Sequence, residues 1–172
     1  MRPERRSAMR GLGRARPGFT LIEMMVVLAI LGLLAAAARP LLELAATRQR
    51  EFALRNGLRQ IRVAIDAYEL AVARGTLPRP PDAPQEGPVY PQSLRLLVDG
   101  VATSDQTDAP RRYFLRRLPR DPFADPELPA EVTWNLRASD SPADAPMPGK
   151  DVFDVYSRAA GVALDGTRYR NW

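Results

Sequence analysis

The stretch RPGFTLIEMMVVLAILGLLAAAARP, residues 16–40, decides the fold of this chain. From Phe19 to Ala38 it is apolar apart from Thr20 and Glu23. That is about the 20 residues that a helix needs to cross the hydrocarbon core of a bilayer. The other parts of the 172-residue chain are too small to surround such a helix. The stretch therefore predicts a transmembrane helix that contains one carboxylate, whose insertion into hydrocarbon costs about 2.5–3.5 kcal/mol.

The positive charge of the chain is concentrated in front of this helix. The chain has 25 basic and 20 acidic side chains, a net charge of +5. Residues 1–18 contain six arginines and one acid, so they account for the whole net charge. An arginine-rich leader before a membrane helix indicates a positive-inside orientation. It does not indicate a nucleic-acid partner.

Several residue types and motifs needed for catalysis are absent from the sequence. The chain has no cysteine and no histidine, so it lacks a disulfide framework, a thiolate nucleophile and the commonest general base. No P-loop and no GxGxxG follows a strand-like segment. An alternative class, a membrane-anchored periplasmic enzyme, has no acid–base constellation to support it. We therefore predict no catalytic residues.

The position of the possible cleavage site also separates this segment from an ordinary secretory signal. A secretory signal has a shorter apolar region followed by an A-x-A-like site. Here the possible cut, after Gly18, lies before the apolar run. Processing would therefore remove the leader, residues 1–18, and keep a transmembrane helix over residues 19–38. The alternative is a signal peptide cut near Ala38.

The sequence GFTLIE, behind a basic leader, resembles the class III signal of type IV pilins and type II secretion pseudopilins. The resemblance implies that a prepilin peptidase cleaves after Gly18 and methylates the new amino terminus at Phe19. It implies that Glu23, the fifth residue of the processed chain, aligns incoming subunits during assembly. It also places Pro40 where the helices of this family often bend.

The chemistry of Glu23 agrees with this role. Cleavage after Gly18 creates a cationic amine at Phe19, one helical turn away from Glu23. An unpaired carboxylate is costly in a medium of low dielectric, and an amine on a neighbouring subunit would relieve that cost. The alternative is that Glu23 lies near the headgroups and reaches the interface without a partner.

Beyond the membrane the helix is predicted to continue over residues 39–75. Pro40 removes one backbone hydrogen bond and should bend the helix, and Gly75 supplies its C-terminal stop. Glu51–Arg55 and Arg62–Asp66 are available as i,i+4 ion pairs. Apolar residues recur at spacings of 4, 3, 4, 3 and 4, which predicts a helical stripe packed on the chain's own globular domain: Leu54, Leu58, Ile61, Ile65, Tyr68 and Val72.

Residues 76–172 are predicted to form a periplasmic globular α+β domain. A proline-dense loop opens it, and a short helix is predicted within residues 90–100. Alternation of apolar and polar residues predicts strands within 131–139 and 151–159. The arginine-rich segment 111–123 is interpreted as structural, with solvated arginines, and a nucleic-acid patch is the alternative.

Three segments of this domain resemble the major pseudopilin of type II secretion: YPQSLRLLV, LRRLPRDPF and FDVYSRAAGVALDG. The resemblance implies a pilin-like α+β fold, in which a long N-terminal helix packs on a small antiparallel sheet. It implies a single-pass inner-membrane protein with its C-terminal domain in the periplasm. The alternative within this class is a type IV pilus or DNA-uptake pilin.

The function implied by the resemblance is structural. The chain would form a homo-oligomeric helical filament, the pseudopilus, whose assembly drives protein export across the outer membrane. Its partners would be minor pseudopilins, the prepilin peptidase and methylase, and an inner-membrane assembly platform. No nucleic acid is expected among them.

Calcium is the one point at which the chain departs from the resemblance. Major pseudopilins of this type bind calcium in a C-terminal loop rich in aspartate and glycine. Here the tail offers only Asp165, with Asp154 and Asp151 upstream. Calcium takes six to eight oxygen ligands. With so few carboxylates, calcium binding is expected to be weak or absent, and Asp154 and Asp165 are the weak candidate ligands. No cofactor is therefore favoured, and we expect the tail to be held by packing of Tyr169 and Trp172.

Overall fold

The computed structural model describes residues 18–104, 106 and 108–172. The predicted leader lies outside the described residues except for its last residue, Gly18. The chain divides into two units, Met1–Glu43 and Leu44–Trp172. Each unit is described by itself below.

The described part of the first unit consists almost entirely of helix. Helix α1 spans Leu21–Ala73, and the part of it up to Glu43 belongs to this unit. Every described residue of the unit is exposed, although the segment is apolar and long enough to cross a membrane. Pro40 lies inside α1. The bend expected at this proline stays a prediction.

In the second unit, α1 supplies the central part of the hydrophobic core. All six residues of the predicted apolar stripe are buried. The stripe packs with residues from later parts of the chain, including Leu97, Trp134 and Val155. A helix on the surface of a small domain needs one apolar face toward the core, and the helical spacing of the stripe provides it. The predicted α+β fold, a long N-terminal helix with small antiparallel sheets, is confirmed.

The C-terminal end of α1 has the geometry that the glycine predicted. Gly75 has a φ of 68°, in the left-handed region where a residue with a Cβ is strained. The Thr76 amide donates to the carbonyl oxygen of Ala71 at 2.9 Å, and the Gly75 amide to that of Val72 at 3.0 Å. This pair of bonds is the Schellman motif, which satisfies carbonyl groups at the helix end.

The predicted short helix is α2, Leu94–Asp99. The hydroxyl of Ser93 accepts a hydrogen bond from the Leu96 amide and caps the N-terminus. Leu94 and Leu97, three residues apart, are both buried in the core. The helix is therefore held by one apolar face and one cap.

A two-stranded sheet follows α2, and the sequence did not predict it. Strand β1, Val101–Ala102, pairs antiparallel with β2, Arg111–Arg112. The first strand lies just after the predicted short helix, and the second lies in the arginine-rich segment. Two residues are too few to produce a period along the sequence, so no pattern was available to find.

The second sheet is the one that the sequence predicted. Strand β3, Trp134–Arg137, pairs antiparallel with β4, Asp154–Ser157. Both strands are shorter than the segments of alternating residues. Before β3, residues Ala130–Thr133 form a 3₁₀ helix, so the predicted strand begins too early. The indole of Trp134 donates to the carbonyl oxygen of Pro119 at 2.9 Å, which ties the arginine-rich segment to this sheet.

A buried hydrogen-bond network joins two of the segments that carried the family resemblance. Asp121, in LRRLPRDPF, is 2% exposed and accepts a hydrogen bond of 2.5 Å from the hydroxyl of Ser157, in FDVYSRAAGVALDG. The Asp121 carboxylate also accepts from the Phe123 amide at 2.8 Å. The Asp121 amide donates to the hydroxyl of Thr133. Charge-assisted bonds of this kind satisfy a buried carboxylate without a counter-ion.

Candidate functional site

The predicted cleavage point lies in an open part of the chain. Gly18 and Phe19 are exposed, and Gly18 precedes the first residue of α1 by three positions. A Cβ placed on Gly18 would meet no atom within 4 Å. The peptide bond between these two residues therefore lies outside α1, between two exposed residues.

Glu23 takes part in a capping arrangement at the start of α1. The Glu23 amide donates to the hydroxyl of Thr20 at 3.2 Å, and the Thr20 amide donates back to the Glu23 carboxylate at 3.5 Å. These reciprocal bonds form a capping box, for which Thr-x-x-Glu is the sequence signature. The capping role of Thr20 was not predicted, although its spacing from Glu23 was the signal.

The capping box gives Glu23 a second role beside the predicted one. A carboxylate in the first turn of a helix interacts favourably with the helix dipole. Cleavage after Gly18 would retain both Thr20 and Glu23 and place the new amine at Phe19. The role of Glu23 in aligning subunits stays a prediction, and so does methylation of Phe19.

The side of α1 opposite to the core carries large apolar residues in the second unit. Phe52 is 75% exposed, Val63 60% and Leu70 43%. They are eleven and seven residues apart, which is about three and two helical turns, so they lie on one face. We call this set the outer stripe. A folded subunit leaves it in solvent.

Arg62 is the centre of the contacts that hold the C-terminal tail. Its Nε donates to the Asp154 carboxylate at 2.7 Å. Its Nη2 donates to the main-chain oxygens of Val155, at 3.0 Å, and Trp172, at 2.6 Å. Arg62 therefore joins α1 to β4 and to the tail. The local pair predicted between Arg62 and Asp66 is not the pair that the structure forms.

Arg55 makes a second set of contacts, two turns earlier on α1. Its Nη2 donates to the Asp165 carboxylate at 2.8 Å, and its guanidinium lies 4.0 Å from the centre of the Trp172 ring. The other oxygen of Asp165 accepts from the amide and hydroxyl of Thr167. The bonds from Thr167, and then the charge of Arg55, lower the pKa of Asp165 below its ordinary value.

Glu51 is the third residue of α1 that contacts the C-terminal tail. This buried carboxylate accepts from the Leu164 amide at 2.8 Å and from the Tyr169 hydroxyl at 3.1 Å. It thus bonds to the tail, not to Arg55 as the sequence predicted. Burial, and then the bond to Glu51, raises the pKa of Tyr169 above its ordinary value. We call Glu51, Arg55 and Arg62 the tail clamp.

The aromatic residues of the tail pack as expected. Tyr169 is buried and stacks on Phe123, with ring centres 4.3 Å apart. Trp172 is half-buried and meets Tyr169 edge to face at 5.2 Å. The indole of Trp172 donates to the hydroxyl of Thr167. The tail is therefore held by packing and by the polar contacts of the tail clamp together.

The carboxylates considered for a metal all have partners within the chain. Asp154 and Asp165 bind the tail clamp, and Asp151 accepts from the amide and hydroxyl of Ser139 at 2.8 and 2.6 Å. Within residues 18–104, 106 and 108–172, no three or more acidic side chains gather in a way that could hold a metal ion. Asp154 nevertheless lines an open cleft of about 620 Å³, so solvent ions have access to it.

Two arginines of the arginine-rich segment bind the backbone of the chain itself. Arg111 donates to the carbonyl oxygens of Asp99 and Gly100. Arg120 donates to the carbonyl oxygen of Asp125. These contacts agree with the structural interpretation of the segment, because such arginines hold loops in place.

Comparisons with known proteins agree with the features at the amino terminus. Residues 13–38 match the family described as the prokaryotic N-terminal methylation motif. The chain is 28% identical over 117 residues to the "Type II secretion system core protein G" of Pseudomonas aeruginosa, a match that covers 66% of this chain and 72% of that protein. No solved structure matches the chain significantly. The two matches support a pseudopilin of the G type.

Proposed function

We propose that this chain is a structural subunit of a type II secretion pseudopilus, a filament whose assembly drives protein export across the outer membrane. The observation that carries the proposal is the methylation motif, with Gly18, Phe19 and Glu23 at the start of a long helix. The likeness to a type II secretion core protein over two thirds of the chain supports the same function.

The first part of α1 anchors the subunit in the inner membrane. Every described residue from 18 to 46 is exposed, and most of this segment is apolar. Lipid covers such a surface before assembly. The arginine-rich leader keeps the amino terminus on the cytoplasmic side, which places the C-terminal domain in the periplasm.

In the filament, the partner of α1 is a second copy of the same chain. The outer stripe, Phe52, Val63 and Leu70, adds exposed apolar residues on the second unit. A neighbour's α1 packed on this face would bury residues that the single subunit leaves in water. A contact between the stripe and a different surface of the neighbour would repeat as a helical filament and would not close.

The chain acts in this system as a substrate and a building block. A prepilin peptidase cleaves and methylates it, and an inner-membrane platform and minor pseudopilins take part in its assembly. Its own residues carry no catalytic role. The likeness to a secretion protein supports this system over the alternative of a type IV pilus or DNA-uptake pilin. The contacts of Arg111 and Arg120 with the backbone give no support to a DNA patch.

The first test is the mass of the mature amino terminus. Protein extracted from membranes should begin with N-methyl-Phe19, and Gly18→Leu should leave the leader attached. Intact-mass analysis measures both. An uncut wild-type chain, or one cut near Ala38, would contradict the proposal.

The second test uses the absence of cysteine from the chain. A single cysteine at Phe52 or Val63, on the outer stripe, should give crosslinked dimers in cells treated with a bis-maleimide, because one thiol per subunit can join only two subunits. The matched control is a cysteine at Asp140, which is exposed but lies outside α1. Dimers from Asp140→Cys alone would show that the subunits meet through another surface.

A further inference from the structure

The C-terminal region of the chain presents the oxygen ligands that a hard cation prefers, but an arginine occupies them. Calcium binds carboxylates and backbone carbonyl oxygens. Arg62 donates to one carboxylate, that of Asp154, and to two main-chain oxygens, those of Val155 and Trp172. A single guanidinium therefore collects oxygens from β4 and from the tail, which are 92 and 110 residues away in sequence.

Arginine is suited to this position because its charge and geometry are constant. The guanidinium stays protonated and has five donors in a rigid fork. Arg62 and Asp154 are both part-buried, so water screens their interaction less than it screens an ion pair on the open surface. The helix supplies the charge from a fixed point, so no ion has to be taken up from solution.

Arg55 supplies a second positive charge for the same region. It pairs with Asp165 and lies over the ring of Trp172. A cation held over an indole ring is attracted by the face of the ring. Together, Arg62 and Arg55 bind Asp154 and Asp165, the two candidate metal ligands. The carboxylate of Glu51 accepts from the amide of Leu164, the residue before Asp165.

The residues present do not fit a calcium ion. The Asp154 carboxylate accepts from Arg62 and from the Val155 amide, and the Asp165 carboxylate accepts from Arg55 and Thr167. Calcium would have to displace two fixed positive charges to reach these oxygens. Its requirement for six to eight oxygen ligands would still be unmet by two carboxylates.

We infer that Arg62, assisted by Arg55, is the built-in cation of the C-terminal region, and that it orders β4 and the tail without a divalent metal. Subunits of this kind would fold and remain folded at calcium concentrations too low for a metal-dependent relative. This inference stands on the contacts of the tail clamp alone and does not depend on the proposed function.

The test compares the full-length wild-type protein in detergent with two matched variants. Arg62→Met keeps the length of the side chain and removes the charge and the donors. Arg59→Met removes an exposed arginine on the same helix, three residues earlier. Thermal unfolding is followed by tryptophan fluorescence, in millimolar calcium chloride and in the chelator EGTA.

We expect the melting temperature of the wild-type protein to be the same in calcium and in chelator. Arg62→Met should lower it by roughly 4–8 °C in both, and Arg59→Met should leave it unchanged. A rise in the wild-type melting temperature with calcium would overturn the inference. Equal melting temperatures for the two variants would overturn it as well.

A second measurement locates the effect in the tail. Amide hydrogen exchange at Leu164, whose amide binds Glu51, should become faster in Arg62→Met and in the isosteric Asp154→Asn, but not in Arg59→Met. Unchanged exchange in both Arg62→Met and Asp154→Asn would contradict the inference even if these variants unfold at a lower temperature. Neither measurement touches the cleavage after Gly18, so the inference and the proposed function fail separately.

Discussion

The two halves of α1 differ in how their apolar residues are covered. The described residues up to 46 are exposed on every side of the helix, although most of them are apolar. In residues 54–72 most of the large apolar residues form one buried stripe, and only Val63 and Leu70 of the outer stripe lie exposed on the opposite face. The difference shows that the first half depends on other molecules for all of its apolar surface, whereas the second half buries most of its own within the subunit.

The physical reason is the arrangement of apolar residues around the helix. A helix that is apolar on all sides is stable in a membrane or inside a larger assembly, and a helix with one apolar face is stable on a small domain. Burial contributes about 25 cal/mol per Å² of apolar surface. The first half gains this free energy only from lipid or from neighbouring subunits, and the second half gains it on folding.

The largest effect is expected in the first half, where we predict that filament assembly depends on Glu23. Glu23→Gln removes the charge but can still hydrogen bond with Thr20. In the Phe52→Cys background, we expect it to insert in the membrane and to abolish the crosslinked dimer in cells. The control, Thr20→Val, loses the hydroxyl cap, worth about 1 kcal/mol, and should keep the dimer. Equal loss of the dimer in the two variants would show that the effect is not specific to the charge of Glu23.

The next effect is expected in the second half, on the stability of the subunit alone. In a fragment of residues 44–172, Ile61→Ala should lower the free energy of unfolding by about 2–5 kcal/mol, because it leaves a cavity in the core. Val63→Ala, on the outer stripe, should change it by less than about 0.5 kcal/mol. Urea unfolding measures both. Similar losses would mean that the two faces of the helix are not distinct.

A smaller effect is expected at Asp121, which joins two segments outside the helix. Asp121→Ala leaves the hydroxyl of Ser157 and the amide of Phe123 without their acceptor, so the same fragment should lose about 1–3 kcal/mol. Asp140→Ala, an exposed aspartate, is the control and should be nearly neutral. If the two variants unfold at the same urea concentration, the buried network does not stabilise the subunit.

The smallest expected effect is a loss of stability of the second unit at alkaline pH. All five tyrosines of the chain lie in this unit. Burial raises the pKa of Tyr68, and burial with the bond to Glu51 raises the pKa of Tyr169. The folded state therefore keeps protons that the unfolded state releases above the ordinary value of 10.0. Stability should fall as the pH rises through that value. Tyr169→Phe should make the fall shallower in urea unfolding at several pH values, and an unchanged slope would contradict this assignment.

Much of the candidate site at the amino terminus was predictable because its residues are neighbours in sequence. Gly18, Phe19 and Glu23 lie within six positions, and the cap between Thr20 and Glu23 has a known spacing. The same holds for the end of α1 at Gly75. Such features depend on local geometry, which a short sequence window contains.

The short strands β1 and β2 and the buried contact between Asp121 and Ser157 were not predictable. The two strands are too short for any period to appear. Asp121 and Ser157 are 36 residues apart, and only the folding of the chain brings them together. Both residues lie in segments that resemble the major pseudopilin, but no rule of spacing connects one with the other.

The sequence by itself determined the apolar length of the first half of α1, the buried stripe of the second half and the glycine stop, because period and composition act locally. The tertiary structure decided the partners of Glu51, Arg55 and Arg62. Local i,i+4 ion pairs on a helix contribute only about 0.3–0.5 kcal/mol, too little to hold these side chains. The folded chain offers them part-buried carboxylates, main-chain oxygens and aromatic rings from the C-terminal tail, and these contacts replace the local ones.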